Sequence, residues 1–289
     1  MKKALLSGLI VVICFCGAVS GVEAKNNEAI KDSAKERQNS WVGKYPMSFF
    51  TKTRSAKTVG KGHLSLALKI QEFDWDKKRA KGGQYHDLPG GDQKKKIATT
   101  FCAKYGWAKD HHIAVGIPMY LNNFDIGSKH NSSKGMGNIY IFEKWNIVKE
   151  TDKCPAVAID FWYYLPTGET KSCLGSDDGA FKITTEVSKS FKDFSLHFNP
   201  GYGWGCGDRA NWSEINAAVL FNTSKTLMPA IEYNFFHKEK GGCRHDIIPG
   251  IIWKFAKGYS FKVGVVTNIA SSEAYKDRVG FVTKIFYRF

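Results

Sequence analysis

From Arg278 to Phe289 the side chains alternate without a break. Val279, Phe281, Thr283, Ile285, Tyr287 and Phe289 fall on one side, and Arg278, Gly280, Val282, Lys284, Phe286 and Arg288 on the other. A side-chain period of two belongs to a β-strand, because successive Cβ atoms of an extended chain point to opposite faces. One row is almost wholly apolar while the other carries Arg and Lys, so the two faces of this strand must meet different surroundings.

The pattern recurs upstream, and after Gly62 the sequence resolves into twelve candidate strands. Over 63–71, Leu64, Leu66, Leu68 and Ile70 oppose Ser65, Ala67, Lys69 and Gln71. Over 97–107 and 194–204 the aromatic and aliphatic residues again share one face. The connections between strands alternate in length: 76–95, 122–135 and 166–178 are long, whereas 108–110, 149–153, 190–193, 223–225 and 256–258 are tight. Tight turns at one end of a sheet and loops at the other are the arrangement of a transmembrane barrel. The predicted fold is all-β: a single antiparallel transmembrane β-barrel of about twelve strands over 63–289, with short periplasmic turns and longer extracellular loops. Pro118, Pro200, Pro229 and Pro249 fall inside or near strands, where a ladder amide is lost, so bulges or rim positions are expected there.

The row opposite the apolar one supplies the candidate lumen-lining residues Lys69, Lys104, Asp160, Lys182, Glu186, His197, Glu214, Glu232, Lys254, Lys262 and Lys284, with His112 beside them. A Lys or Arg turned toward lipid near the bilayer midplane costs about 2–4 kcal/mol, which fixes this row as the inner one. Its bases outnumber its acids, and a basic constriction favours anions. Asp160, Glu214 and Glu232 have Lys182, Lys254 and Lys262 as candidate partners. Trp75, Trp107, Trp145, Tyr202, Trp204, Trp253, Tyr259 and Tyr287 sit near strand ends, where interfacial girdles form.

Residues 1–24 read as a secretory signal peptide, with Lys2 and Lys3 at its start, an apolar run over 4–19 and a small-residue cleavage site at 22–24. Residues 25–62 read as a periplasmic extension, with a short helix over 26–37 and an apolar-aromatic patch over 41–50; a plug entering the barrel from below is the alternative. No later segment offers the roughly 18–20 apolar residues of a spanning helix. The net charge of +15 is concentrated in Lys77-Lys78-Arg79-Lys81 and Lys94-Lys95-Lys96, read as solvated loop charge or as contacts to phosphate-rich lipopolysaccharide. Export argues against a nucleic-acid partner. Beyond the leader stand Cys102, Cys154, Cys173, Cys206 and Cys243; Cys173, Cys206 and Cys243 fall in expected extracellular loops, where one disulfide is possible. No metal or cofactor motif and no catalytic set is present.

From about Arg54 to Phe289 the chain resembles an outer-membrane barrel family described as putative transporters of the meta-pathway of phenol degradation. Gly137-Asn138 opening a strand, Leu165-Pro166-Thr167-Gly168 ending another, Glu232, and Pro249-Gly250 before Ile251 and Trp253 carry the likeness. The family more often has an acid where this chain has Asn138. The resemblance implies a barrel of this size with a channel role and supplies no catalytic residue. The expected function is therefore a small-solute channel in the bacterial outer membrane. The alternatives are a lipid-modifying barrel enzyme built on His197 and Ser195, or a structural or adhesion barrel. The aromatic end of the last strand, Phe281, Ile285, Tyr287 and Phe289, resembles the signal read by the barrel-assembly machinery. Outer-membrane lipid and lipopolysaccharide, that machinery and a small solute are the expected partners.

Overall fold

Paired edge to edge, the alternating segments form a sheet that meets itself. The computed structural model describes residues 46–80, 84–89, 92–126, 129–170, 174–239, 241–273, 275–277 and 279–289. The leader expected over 1–24, the helix and Trp41 expected within 25–45, Lys81 and Cys173 lie outside them.

Fifteen strands follow in order: β1 (Leu64–Arg79), β2 (Tyr85–Asp87), β3 (Gln93–Ala108), β4 (His111–Ile126), β5 (Lys129–Met136), β6 (Tyr140–Val148), β7 (Ala156–Tyr164), β8 (Ala180–Ser190), β9 (Phe194–Gly205), β10 (Trp212–Phe221), β11 (Leu227–Lys238), β12 (Gly242–Ala256), β13 (Tyr259–Ser271), β14 (Tyr275–Asp277) and β15 (Gly280–Arg288). All pairings among the described residues are antiparallel. Twelve of the strands form a ring, with the short strands β2, β5 and β14 extending it at one end. β1 closes the ring: Leu68 lies opposite Phe101 of β3 on one side and Ile285 of β15 on the other. A closed ring leaves no unpaired edge, which is the condition for strands to exist in hydrocarbon.

Alternation sorts the residues as the sequence requires. Phe161, Phe181 and Phe281 on the outward row are about half exposed, at 48%, 52% and 53%, whereas Asp160, Glu186 and Glu232 on the inward row are fully buried. Trp107, Trp145, Trp204, Trp253 and Tyr259 are exposed outward. Trp75 is the exception among the expected girdle residues: it lies on the inward row and lines an internal cavity.

The four prolines occupy gaps in ladders. Pro118 lies where β4 passes from β6, paired up to Gly116, to β5, paired from Met119. Pro200 and Pro249 lie where β9 and β12 lose their pairing to β8 and β13 without a shift of register. Pro229 stands one residue beyond the end of the β10–β11 ladder. At each point the ladder lacks a pairing where proline has no amide to donate.

Two expected loops are largely strand. β1 runs to Arg79 and β3 begins at Gln93, and β4 and β5 together fill most of 122–135. Lys77, Lys78 and Arg79 pair with β2, and Lys94, Lys95 and Lys96 pair with both β1 and β4. Beyond the membrane a strand has no need of an apolar row, so these extensions carry no alternation to reveal them. Cys243 likewise belongs to β12 rather than to a loop, and Cys206 and Cys243 are free thiols.

The outward row sets a depth-dependent expectation. Ile183→Arg, in mid-β8, should lower the urea unfolding free energy in lipid vesicles by about 2–4 kcal/mol, whereas Phe255→Arg, at the rim end of β12, should cost about 0–1 kcal/mol. Equal costs at the two positions would contradict this orientation of the strands.

Candidate functional site

Residues 47–55 fold back as a small hairpin, with Ser48 bridged to Arg54 and the Phe49 amide donating to the Thr53 carbonyl at 2.9 Å. A tight turn leaves the amides at its tip without partners of its own. Here one carboxylate serves them all. Glu232, from β11, accepts the Phe50 and Thr51 amides on Oε2 at 2.8 and 2.9 Å. Its Oε1 accepts the Lys52 and Thr53 amides at 2.7 and 2.8 Å and the Thr51 hydroxyl at 2.8 Å. Successive backbone N–H groups converging on an anion form a concave anion site, and Glu232 is its resident anion.

From that anchor the chain makes a circuit of the inner wall. Ser48 takes Lys262 of β13 on its carbonyl and Lys284 of β15 on its hydroxyl. After Glu232, the Thr53 hydroxyl donates to Ala217 O of β10. Arg54 exchanges two hydrogen bonds with the Asn199 amide of β9, at 2.7 and 2.9 Å. The Ala56 amide donates to Ser188 Oγ of β8, and the Ser55 and Ala56 carbonyls accept from Lys144 and Asn146 of β6. The Val59 amide reaches His112 of β4, and the Gly62 amide reaches Gly106 O of β3, where β1 begins. The strands are thus visited in the order in which they stand around the ring.

Charge is balanced along the same path. Arg54 Nη1 lies 2.9 Å from Asp160 and its Nε 3.6 Å from Glu186, with the guanidinium 4.0 Å from the centre of the Trp162 ring. Trp162 in turn stacks on Phe142 at 4.0 Å. Lys144 pairs with the same two carboxylates. Lys182 bonds Glu214 at 2.8 Å, and Lys52 lies 3.7 Å from its other oxygen. Two carboxylates enclosed among aromatic rings would be untenable without these cations, because an unpaired buried charge costs several kcal/mol.

Apolar contacts hold the hairpin laterally. Phe49 and Phe50 are fully buried among Ala218, Leu220, Met228, Ile248 and Ile252. Burying a phenylalanine contributes roughly 1.5–3 kcal/mol. Phe50 lies over Gly250 and Gly264, which face each other across β12 and β13; a Cβ on Gly250 would stand 2.6 Å from its ring. His197 is clasped between Ser188 Oγ and Ser195 Oγ, each at 2.9 Å, beneath the Phe49 ring.

The eleven candidate lumen residues all lie on inward rows. Lys104, Asp160, Lys182, Glu186, His197, Glu214, Glu232 and Lys262 are buried, while Lys69, Lys254 and Lys284 are half-buried. The chain segment over 47–62 covers most of them. Of the candidate partnerships, Lys182 with Glu214 forms; Asp160 binds Arg54 and Lys144, and Glu232 binds backbone. Arg54 and Lys144 are absent from the sequence-derived set. Arg54 precedes the first strand, and Lys144 adjoins Glu143, so only the outward row of Ile141, Trp145 and Ile147 decides which of the two charges faces in. Phe281, Ile285, Tyr287 and Phe289, the residues expected to form an assembly signal, lie on the outward row, with Tyr287 stacked 4.0 Å from Tyr259 and edge-on to Phe289 at 4.2 Å.

Residues carrying the family likeness gather in two places. Asn138 clamps Ser176 through two hydrogen bonds, at 2.8 and 3.1 Å, and Thr167 Oγ1 accepts the Ile139 amide, joining the β5–β6 and β7–β8 connections. Gly168 packs directly on Asn138. Glu232 and Gly250 grip the hairpin.

Above the hairpin, toward the end with the long connections, is a cavity of 1280 Å³. Thr51 and Lys52 contribute to its lining, with Lys69, Lys94 and Lys96 on the β1–β3 wall.

No protein-family profile and no curated protein matches the sequence. Among solved structures, an outer-membrane channel from Pseudomonas putida F1 superposes with a TM-score of 0.64 at 9% identity, over 81% of this chain and 98% of that one. The β domain of the Bordetella autotransporter BrkA gives 0.52 at 8% identity, over 79% of this chain and 100% of that one. Both likenesses concern the fold: a closed outer-membrane type β-barrel.

Replacing Glu232 by Ala strands four backbone amides, each costing about 1–3 kcal/mol when buried without a partner. Hydrogen exchange at residues 50–53 should accelerate by at least about a hundredfold, the equivalent of roughly 2.7 kcal/mol. Phe50→Ala should do the same by emptying the apolar seat that holds the hairpin. Unchanged exchange in both folded variants would show that neither contact holds the hairpin.

Proposed function

We propose that this chain is an outer-membrane channel for small solutes, with the 47–62 segment as an internal plug. One observation carries the reading: a closed barrel with a lipid-facing apolar row surrounds a polar interior that is filled from within by a separate chain segment rather than by its own wall. A barrel of eight strands fills its lumen with side chains; twelve enclose more space than side chains fill. A segment held by one carboxylate, two buried phenylalanines and an ionic cluster can be released without breaking any ladder of the ring.

Export with removal of residues 1–24, residence in the bacterial outer membrane, contacts with lipopolysaccharide and recognition of the last strand by the barrel-assembly machinery belong to the same proposal. A tie to phenol degradation rests on the residues of the family likeness. The lipid-hydrolase reading is disfavoured because His197 is only 2% exposed and both ring nitrogens are engaged by serines under Phe49, so no lipid ester reaches it. A candidate base must come within hydrogen-bond reach of its substrate.

Planar-bilayer recording tests the channel. Protein lacking 47–59, shown to be folded by its heat-dependent gel mobility, should conduct several times more current than the full chain. A folded barrel without that segment that passes no ions would remove the channel reading. Separately, removal of Phe289 should reduce the amount of folded barrel in the outer membrane; undiminished insertion would argue against its role as an assembly signal.

A further inference from the structure

The cavity above the hairpin has a chemistry of its own. Seven of its lining residues are basic and two, Asp246 and Glu273, are acidic. Asp246 is already engaged, with both oxygens on Arg244 Nε at 2.8 and 2.9 Å. The Lys96 ammonium sits 4.0 Å from the centre of the Tyr120 ring, an attraction that fixes the charge in place without cancelling it.

Register places the positive groups on two tiers. Lys69 lies opposite Thr100, and four residues further along β3, Lys96 lies opposite Phe73. At about 3.3 Å per residue, the two tiers are roughly 13 Å apart along the strand. Lys52, on the hairpin tip, contributes a further ammonium to the lining. Between and around the tiers are hydrogen-bonding side chains, Gln71, Asn122 and Asn234 among them, and the faces of Trp75 and Phe236. Amides suit hydroxyl groups, aromatic faces suit the carbon skeleton that bears them, and separated ammonium groups suit separated acids.

We propose that this cavity is a binding site for a small hydroxylated solute bearing two or more carboxylate groups, with Lys69 and Lys96 as its principal anion-binding residues. The site deepens the channel reading and rests on it, since a solute held here is cargo at the mouth of the plugged lumen. Lys52 ties the site to the plug, because the same residue donates its backbone amide to Glu232 and turns its side chain to the cavity.

Calorimetric titration of the full chain in detergent tests this, with citrate as the probe and sucrose and spermidine as neutral and cationic controls. Citrate alone should bind. Lys69→Met and Lys96→Met should each weaken it about tenfold, as expected for loss of one charge-assisted hydrogen bond. Lys149→Met, which removes a positive charge paired with Asp110 at the opposite end of the barrel, should leave affinity unchanged. Gel mobility verifies that each variant is folded. Absence of citrate binding, or binding insensitive to both Lys69→Met and Lys96→Met, overturns the site. Calorimetry does not depend on conduction, so a barrel that conducts without binding citrate refutes only the site, and one that binds citrate without conducting refutes only the channel.

Discussion

Each peptide group of a strand placed in hydrocarbon must find its hydrogen bond on a neighbouring strand, because lipid tails offer neither donor nor acceptor. The pairing of β1 with both β3 and β15 follows from that requirement, and so does much else. Closing the ring assigns one row of every spanning strand to lipid and the other to the interior. The outward row can hold little charge, so the spanning strands' charge is sent inside. The barrel therefore acquires an interior that must be solvated, paired or filled.

Residues 47–62 supply the filling, and they do so in a way the barrel wall alone could not. Asp160, Glu186, Glu214 and Glu232 stand on β7, β8, β10 and β11, whereas Lys69, Lys104, Lys262 and Lys284 stand on β1, β3, β13 and β15. These four acids share their side of the lumen with Lys144 and Lys182, whereas these four lysines stand together on the other. Lys69 and Lys284 are directly opposed on neighbouring strands, as are Lys262 and Lys284, so like charges stand side by side on that wall. The inner segment meets each wall with the complementary group. It offers Arg54, Lys52 and four amides to the acids, and the carbonyl and hydroxyl of Ser48 to the bases.

The fold was legible because lipid imposes a period of two that survives in a single sequence. Strict alternation from Leu64 to Gln71 and from Gly280 to Arg288 identified the strands and their faces, and the inward placement of Lys69, Glu186 or Glu232 followed. Legibility failed where that constraint lapses. The outer halves of β1, β3, β4 and β5 leave the bilayer, and their Lys, Asn and Ser residues look like loop. Legibility was partial for the inner segment: a plug stood among the readings of residues 25–62, but nothing in the spacing of Phe49, Phe50 and Arg54 says that their partners lie more than a hundred residues away in strands. Arg54 could be paired only once the ring had brought Asp160 and Glu186 together. The socket under Phe50 is made of two glycines, and a glycine in a strand reads as weakness until its neighbour is known.

The two walls also bear on the proposed channel. With the segment in place, the acidic wall is neutralised by Arg54, Lys144, Lys182 and the amides on Glu232, while the cavity above retains Lys69 and Lys96. A solute approaching from the long-loop end therefore meets a positive field over an interior whose negative charges are already satisfied. Without the segment, the inward row of the wall, on which bases outnumber acids, would face water directly. In the proposed channel, the same fifteen or so residues fill the path and cover its acidic wall.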